Sequence, residues 1–326
     1  MKKIVLVGCG AVGSSFIYSA INQGLAEEYI LIDKFKNLAE GNALDLGDVQ
    51  ASLESPFTAI KVGDFQDCKD ADLIVITAGR PRKVGETRLD MVSDNAKIIS
   101  DIALEIKLSG FKGITLIASN PVDVMTAVYQ KVTGFDVHKV LGAGTILDTL
   151  RLKYLLGQKL EINPESIFGY VLAEHGDSAF IPWSNVIVAN QSILEVMTKE
   201  ELELLEQAVK TRAGEIIKLK NATFYGIAAG LTFLIKMIMK NQDTMSIAGA
   251  YLNGEYDNQG FYIGVPVILN QNGWKEVVQL PLTNEEQLKF NHSCQIIKEN
   301  LKVALSAIAD KVIKSDERIE KVVIKE

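Results

Sequence analysis

The sequence of 326 residues contains little cysteine, and its three cysteines, Cys9, Cys68 and Cys294, show no C-x-x-C spacing. An odd number of cysteines without paired spacing excludes a disulfide scaffold and suits a reducing cytosol. With 48% hydrophobic and 23% charged residues, a chain of this length can bury a large core without such bridges, which also excludes collagen and disordered proteins. At about 150 residues per domain, the length predicts roughly two domains.

Positive charge and long hydrophobic runs are also scarce. The 34 basic residues are outnumbered by 41 acidic ones, and the net charge of −7 is spread along the chain. Nucleic acids and anionic membranes attract a net positive face, so neither is predicted as a partner. The apolar start is too short for a signal peptide, and the apolar run 230–239 is too short to span a bilayer. A cytoplasmic protein is therefore expected.

The first 145 residues alternate short runs rich in Val, Ile and Leu with helix-length segments. The clearest runs are 4–7, 29–32, 73–77 and 114–118, and the clearest helical segments are 12–23 and 89–108. Continuous apolar runs are typical of strands that are buried on both faces of a parallel sheet. The alternation predicts an α/β fold with a doubly wound parallel sheet of the Rossmann type.

The pattern changes after about residue 145. Long helical segments at 199–219 and 284–308 flank the runs 246–252 and 260–269, which predict strands of antiparallel character. We therefore expect a dinucleotide-binding domain at 1–145 and a smaller α+β substrate domain at 146–326. No low-complexity linker separates them, which predicts that the two halves pack as one body.

A glycine-rich motif follows the first predicted strand directly. Residues 8–13 read Gly-Cys-Gly-Ala-Val-Gly and match G-x-G-x-x-G before a predicted helix. Gly8 would make the tight turn, Gly10 would let the backbone approach a pyrophosphate, and Gly13 would allow close helix–strand packing, with Val12 beside the cofactor. Asp33 ends the second predicted strand, where a carboxylate accepts ribose hydroxyls and repels a 2′-phosphate. The pair predicts NAD binding; alone, the glycines would indicate only a tight turn.

A basic segment lies at the carboxyl end of the predicted strand 73–77. Residues 78–88 read Ala-Gly-Arg-Pro-Arg-Lys-Val-Gly-Glu-Thr-Arg, with three arginines, one lysine and two glycines. Ligands bind at this end of the strands in such sheets. The segment therefore predicts a lid that closes over an anionic substrate with glycines as hinges, and the alternative is a solvated basic loop.

Three polar side chains form the candidate catalytic group. His175, one of three histidines, lies in a polar glycine-containing turn, whereas His138 and His292 have no such surroundings. Asp148 and Arg151 are three residues apart and share a helix face, although a surface ion pair would give the same spacing. No histidines show metal-ligand spacing, so no metal site is predicted.

In this order, the motifs resemble those of the L-lactate/malate dehydrogenase family. They are Gly-Glu-Thr-Arg-Leu-Asp at 85–90, Ser-Asn-Pro-Val-Asp at 119–123, Leu-Asp-Thr-Leu-Arg at 147–151, Glu-His-Gly-Asp-Ser at 174–178 and Ala-Thr-Phe-Tyr-Gly at 222–226. The resemblance runs from about residue 3 to residue 310 and implies hydride transfer between NAD and a small 2-hydroxy acid or 2-keto acid. It also implies a homotetramer.

The resemblance implies a role for each matching side chain. His175 would exchange the proton, with Asp148 orienting its imidazole. Arg88 would polarise the reacting C–O bond, and Arg151 would bind the C1 carboxylate. The chemistry agrees, because adding hydride to a keto carbon requires protonation of its oxygen, and histidine titrates near working pH. A guanidinium forks onto a carboxylate through two parallel hydrogen bonds.

Further contacts implied by the resemblance lie around this group. Asn120 would bond to the substrate oxygen and to the nicotinamide ribose, and Thr223 would line the substrate pocket. Ala78 and Gly79 would pass beside the cofactor.

The substrate depends on Arg82, which occupies the lid position where lactate enzymes of this family usually carry Gln and malate enzymes Arg. Against pyruvate, an unpaired buried guanidinium would cost about 3–5 kcal/mol, or roughly two to three and a half decades of discrimination, unless Glu86 neutralises it. Glu86 and Thr223 are lactate-like, whereas residues 211–215 partly resemble malate enzymes. We therefore expect malate and oxaloacetate as substrates, with L-lactate dehydrogenase as the alternative.

Two further points follow from the resemblance. Many bacterial lactate enzymes bind fructose-1,6-bisphosphate through two basic positions, and here Lys153 and Phe168 occupy them, so the effector site is expected to be lost. The rival classes are a non-enzymatic NAD-binding protein and an NAD-dependent glycosidase. The glycosidase would need a metal bound by Cys and His, and Cys9, Cys68 and Cys294 lie in no such motif.

Overall fold

A nine-stranded mixed sheet forms the centre of the computed structural model, which describes residues 1–80 and 88–323, with side chains for 1–80 and 90–309. Six of its strands are parallel: β1 (Lys3–Val7), β2 (Glu28–Ile32), β3 (Ala59–Val62), β4 (Leu73–Ile76), β5 (Ile114–Ile117) and β6 (Val140–Gly142). Their order is β3-β2-β1-β4-β5-β6, that of a doubly wound dinucleotide-binding sheet. The predicted Rossmann-type sheet is confirmed.

Helices cover both faces of this sheet. They are α1 (Ala11–Asn22), α2 (Lys36–Asp48), α3 (Arg88–Leu108), α4 (Val122–Thr133), α5 (Ile146–Leu160), α6 (Ile193–Val196), α7 (Lys199–Lys220), α8 (Tyr225–Lys240) and α9 (Asn284–Val323). Alternate residues of β1 enter opposite cores: Ile4 and Leu6 pack with α1 and α8, whereas Val5 and Val7 pack with α3 and α4. This two-sided burial explains why the strands are continuously apolar. No helix in the described ranges has the length and apolarity to cross a membrane.

The antiparallel strands of the second half divide between two sheets. β10 (Thr244–Asn253), β11 (Gln259–Asn270) and β12 (Gly273–Val277) extend the central sheet beyond β6. Gly249 pairs with Gly142 there, and a Cβ on Gly249 would lie 3.0 Å from the Gly142 Cα, so the contact favours glycine. β7 (Ile167–Phe168), β8 (Ile187–Val188) and β9 (Gln191–Ser192) form the smaller sheet. The sequence pattern predicted antiparallel strands but not that three of them would join the parallel sheet.

A third apolar cluster fixes α5 against α7. Leu152 and Leu156 of α5 pack with Leu202, Leu205 and Val209 of α7, beneath the small sheet. A Thr198 capping box begins α7. Because the apolar face of α5 is buried here, its first turn, which carries Asp148, opens toward the groove beside α7.

Candidate active site

The glycine loop between β1 and α1 has the shape that a dinucleotide requires. Gly8 has φ 104°, and a Cβ there would lie 2.6 Å from the Ala78 backbone nitrogen. A Cβ on Gly13 would collide with the Gly8 carbonyl oxygen, whereas Gly10 has no atom within 4 Å of its Cβ position. Two glycines are thus required by packing, and the third leaves open space over the backbone at the amino end of α1. These residues fit a bound pyrophosphate.

Asp33, at the end of β2, holds this loop in place. Its Oδ2 accepts a hydrogen bond from the Cys9 backbone N–H at 2.7 Å, and its Oδ1 accepts one from the Phe35 N–H at 2.8 Å. A carboxylate has about four lone-pair sites, so it retains capacity to accept ribose hydroxyls as well. The sequence predicted the role of Asp33 toward the ribose but not its contact with the loop backbone.

The structure brings His175, Asp148 and Arg151 together. His175 Nδ1 lies 2.6 Å from Asp148 Oδ2, and Arg151 Nη1 donates to Asp148 Oδ1 at 3.0 Å. An ionised carboxylate only accepts, so Nδ1 must carry its proton. Nε2 is therefore the ring atom that remains free to gain or lose a proton.

The charges of this group stabilise one another. Burial opposes ionisation of Asp148, but the neighbouring His175 and Arg151 outweigh it and hold the pKa of the carboxyl below its usual range. Burial likewise disfavours the imidazolium, yet the Asp148 carboxylate raises the pKa of His175 above its ordinary value. The imidazolium is thus kept available as a proton donor near neutral pH.

Arg151 presents an unused donor to a cavity. Its side chain is 9% exposed, and Nη2 is buried with no hydrogen-bond partner among the residues that the structure describes. Arg151, Asp148 and His175 line a cavity of about 410 Å³ beside Gln207 and Thr211 of α7. A buried guanidinium nitrogen needs an acceptor, and a small carboxylate would supply one.

His175 also lines a second cavity, on the side of the glycine loop. This space of about 440 Å³ is bounded by Val12, Gly79 and Asn120, among others. His175 therefore stands between a cavity beside the dinucleotide loop and one that contains the arginine.

Asn95 of α3 lines this second cavity and was not among the predicted site residues. Its Oδ1 accepts from the Arg80 N–H at 2.9 Å, and its Nδ2 donates to the Asn120 carbonyl at 2.7 Å. It is 2% exposed. A polar residue beside the apolar stripe of α3 was the available signal.

For three predicted site residues, the described structure shows no position in the site. Arg82 lies outside the described residues. Arg88 begins α3, but its side chain falls outside the description. Thr223 is half-buried between α7 and α8, and the described residues lining the two cavities do not include it. Their roles stay predictions.

Comparison with known proteins identifies the class. Residues 2–142 match the lactate/malate dehydrogenase NAD-binding domain, and residues 145–308 match the α/β C-terminal domain of the same enzymes. The chain belongs to the lactate/malate dehydrogenase family, and the predictions of this family and of NAD as its cofactor are confirmed.

Individual relatives are lactate enzymes. The chain is 53% identical to an L-lactate dehydrogenase of Mycoplasma capricolum over 92% of its own length and 96% of the relative's. It is 50% identical to the Mesoplasma florum L-lactate dehydrogenase over 94% and 98% of the two chains. The minor L-lactate dehydrogenase of Enterococcus mundtii, solved in a ligands-bound form, superposes with a TM-score of 0.90 at 41% identity, covering 92% and 98%.

The expectation of a malate dehydrogenase is therefore wrong. It gave one charged side chain, Arg82, more weight than the similarity of the whole chain, which reaches 53% identity to a lactate enzyme. A preference for oxaloacetate would require Arg82 to be buried without a counterion, and both Arg82 and Glu86 lie outside the described residues. A desolvation penalty applies only to a charge that is buried and unpaired.

Proposed function

We propose that the chain is an NAD-dependent L-lactate dehydrogenase that interconverts pyruvate and L-lactate. The observation that carries the proposal is the position of His175 between two cavities, one beside the glycine loop and one containing the unpaired Arg151 Nη2. A 2-keto acid has a carboxylate for the arginine and a keto oxygen for the histidine. The names of the relatives support pyruvate as the keto acid.

The reaction divides between the two cavities. The residues proposed to hold NAD are Gly8, Gly10, Val12, Gly13, Asp33, Ala78, Gly79 and Asn120, and the reduced cofactor, when bound there, would supply the hydride that the keto carbon accepts. Arg151 binds the substrate carboxylate through Nη2 and so directs the keto oxygen toward His175 Nε2. His175 donates its proton there, while Asp148 stabilises the imidazolium before transfer. By family resemblance, Arg88 polarises the C–O bond and Thr223 lines the pocket.

Parallel initial rates test this proposal. With saturating NADH at one pH and salt concentration, we expect kcat/KM for pyruvate to exceed that for oxaloacetate by about tenfold or more, since each tenfold preference needs only about 1.4 kcal/mol. Oxaloacetate must be freshly dissolved, because it decarboxylates to pyruvate. A preference for oxaloacetate would reject the lactate assignment, and no NADH oxidation with either acid would reject the dehydrogenase.

We predict that fructose-1,6-bisphosphate does not activate the enzyme. Lys153 lies in α5, where burial lowers its pKa, and Phe168 in β7 is 64% exposed and offers no donor. One lysine cannot form a two-sided basic clamp on a bisphosphate. The apparent KM for pyruvate, measured with and without millimolar effector, should not change. A several-fold fall would show that other residues form an effector site.

We also propose a homotetramer of this chain. Large apolar side chains are exposed on several elements, among them Leu44 of α2 at 69%, Leu219 of α7 at 88% and Tyr225 of α8 at 70%. Apolar side chains exposed singly are also normal on monomers, so the proposal rests on the resemblance to the lactate/malate dehydrogenase family.

The domain division stays a proposal, with one unit at 1–145 and the other at 146–326. The parallel part of the sheet ends with β6 at Gly142. The two family models also meet between residues 142 and 145, which supports a boundary there. A cytoplasmic location is proposed on separate grounds: the three cysteines are free and buried, which suits a reducing compartment.

A further inference from the structure

The turn at residues 174–178, which carries His175 and is called the catalytic turn below, is anchored through its backbone by side chains of two helices. The Glu174 N–H donates to Ser293 Oγ of α9 at 3.3 Å, and the His175 N–H donates to Asp123 Oδ2 of α4 at 2.9 Å. Of these two acceptors, only Asp123 is able to carry a charge. Asp123 also lies three residues after Asn120, so one short segment joins the proposed cofactor contact to the main chain of the histidine.

Asp123 is a buried carboxylate of which only one oxygen accepts a hydrogen bond from the described residues. It is 2% exposed, and Oδ1 has no hydrogen-bond partner within residues 1–80 and 88–323. Burial raises the pKa of Asp123 to about 7, against the opposing effects of the His175 N–H and imidazolium. A desolvated carboxylate with one hydrogen bond is stabilised strongly by a nearby cation, and the imidazolium is such a cation. The two groups therefore titrate as a coupled pair.

Other charges also face this pair. They are Asp148 and Arg151 from α5, Glu174 from the catalytic turn, and Arg80 with its partner Asp94 across the second cavity, on the side of the glycine loop. Asp148 is already bonded to both His175 and Arg151. Arg151 disfavours the imidazolium, so a second carboxylate on the backbone side of the histidine offsets it.

We propose that Asp123 is a positioning residue, which fixes the main chain of His175 and acts as a second carboxylate that favours its protonated form. The hydrogen bond, the burial and the unpaired oxygen carry this inference. It deepens the proposed function, because the protonated histidine is the proposed donor to the keto acid.

A histidine titration tests the proposal without any substrate. The chain has three histidines, so labelled histidine ring signals can be followed by NMR in the NADH complex and the His175 signal assigned by its loss in His175→Asn. In Asp123→Asn, the pKa of His175 should fall by roughly 0.5–1 unit, because a negative charge that stabilises the imidazolium is removed while an acceptor oxygen remains. An unchanged pKa of His175 would overturn the proposal, whatever the substrate of the enzyme.

Glu286→Gln is the matched control for this titration. Glu286 is a buried carboxylate that bonds to Ser184 and Thr283, away from the histidine. Its removal should leave the pKa of His175 unchanged. An equal shift in this control would show that the Asp123 effect is not local and would likewise overturn the proposal.

Kinetics separate charge from anchoring. Pyruvate reduction needs the imidazolium, so kcat/KM falls as pH rises through the pKa of His175, and Asp123→Asn should move this fall to lower pH. At pH values below the pKa of His175, where kcat/KM is constant and forms a plateau, its value should change only a few-fold in this variant, because the asparagine amide oxygen still accepts from the His175 N–H. Asp123→Leu removes both charge and acceptor and should also lower the plateau by about tenfold or more. A uniform loss at all pH values in Asp123→Asn would mean a merely structural role, even if Asp123→Leu fails to fold.

Discussion

His175→Asn should reduce kcat for pyruvate reduction by about 10²- to 10⁴-fold, the usual contribution of a positioned general acid. The asparagine amide can still donate to Asp148, so the carboxylate keeps a partner, but no group remains at the position of Nε2 to release a proton. The Kd for NADH should stay within about twofold, because the glycine loop and Asp33, which are proposed to hold the cofactor, belong to other elements. Steady-state rates and NADH fluorescence titration measure the two effects separately.

His292→Asn provides the control for that substitution. His292 is exposed on α9, and its change should leave both kcat and the Kd for NADH unaltered. A His175→Asn enzyme that retains more than about a tenth of the normal rate would show that another group donates the proton.

The parts of the molecule that sequence could predict are those with local causes. Gly8 is favoured by its own φ of 104° and Gly13 by its contact with the Gly8 carbonyl oxygen, both within one strand–turn–helix unit, so their spacing was a sufficient signal. The catalytic turn is different, because Asp123 lies 52 residues from His175 in the chain and meets it only after α4 packs on the sheet. Its charge was visible in the motif at 119–123, but its partner was not.

The same distinction explains which part of the strand pairing could not be predicted and why the substrate prediction was wrong. Strand pairing between β6 and β10 depends on two glycines 107 residues apart, which no local pattern connects. The substrate prediction failed for a related reason, because the free-energy effect of Arg82 depends on its burial and its counterion. Neither property can be deduced from residue type alone, whereas similarity over the whole chain includes the effects of many positions.

Arg151→Lys should lower kcat/KM for pyruvate by roughly two to four decades. The guanidinium uses Nη1 for Asp148 at 3.0 Å and leaves Nη2 for the substrate, whereas one ammonium cannot reach both carboxylates with the same geometry. Hydrogen bonds between charged groups contribute about 1.5–3 kcal/mol each, and two of them are weakened or lost. At about 1.4 kcal/mol per decade, this gives the expected range.

The pH dependence distinguishes this loss from that of Asp123→Asn. Arg151→Lys keeps a positive charge beside the histidine, so the pH at which kcat/KM falls should remain nearly the same while the plateau drops. Asp123→Asn should do the opposite. Arg212→Lys on α7, whose side chain is 38% exposed, is the control and should stay within about twofold, since an exposed charge contributes under about 1 kcal/mol. If Arg151→Lys loses less than tenfold, the substrate carboxylate must bind elsewhere, and the cavity beside α7 is not the site of reduction.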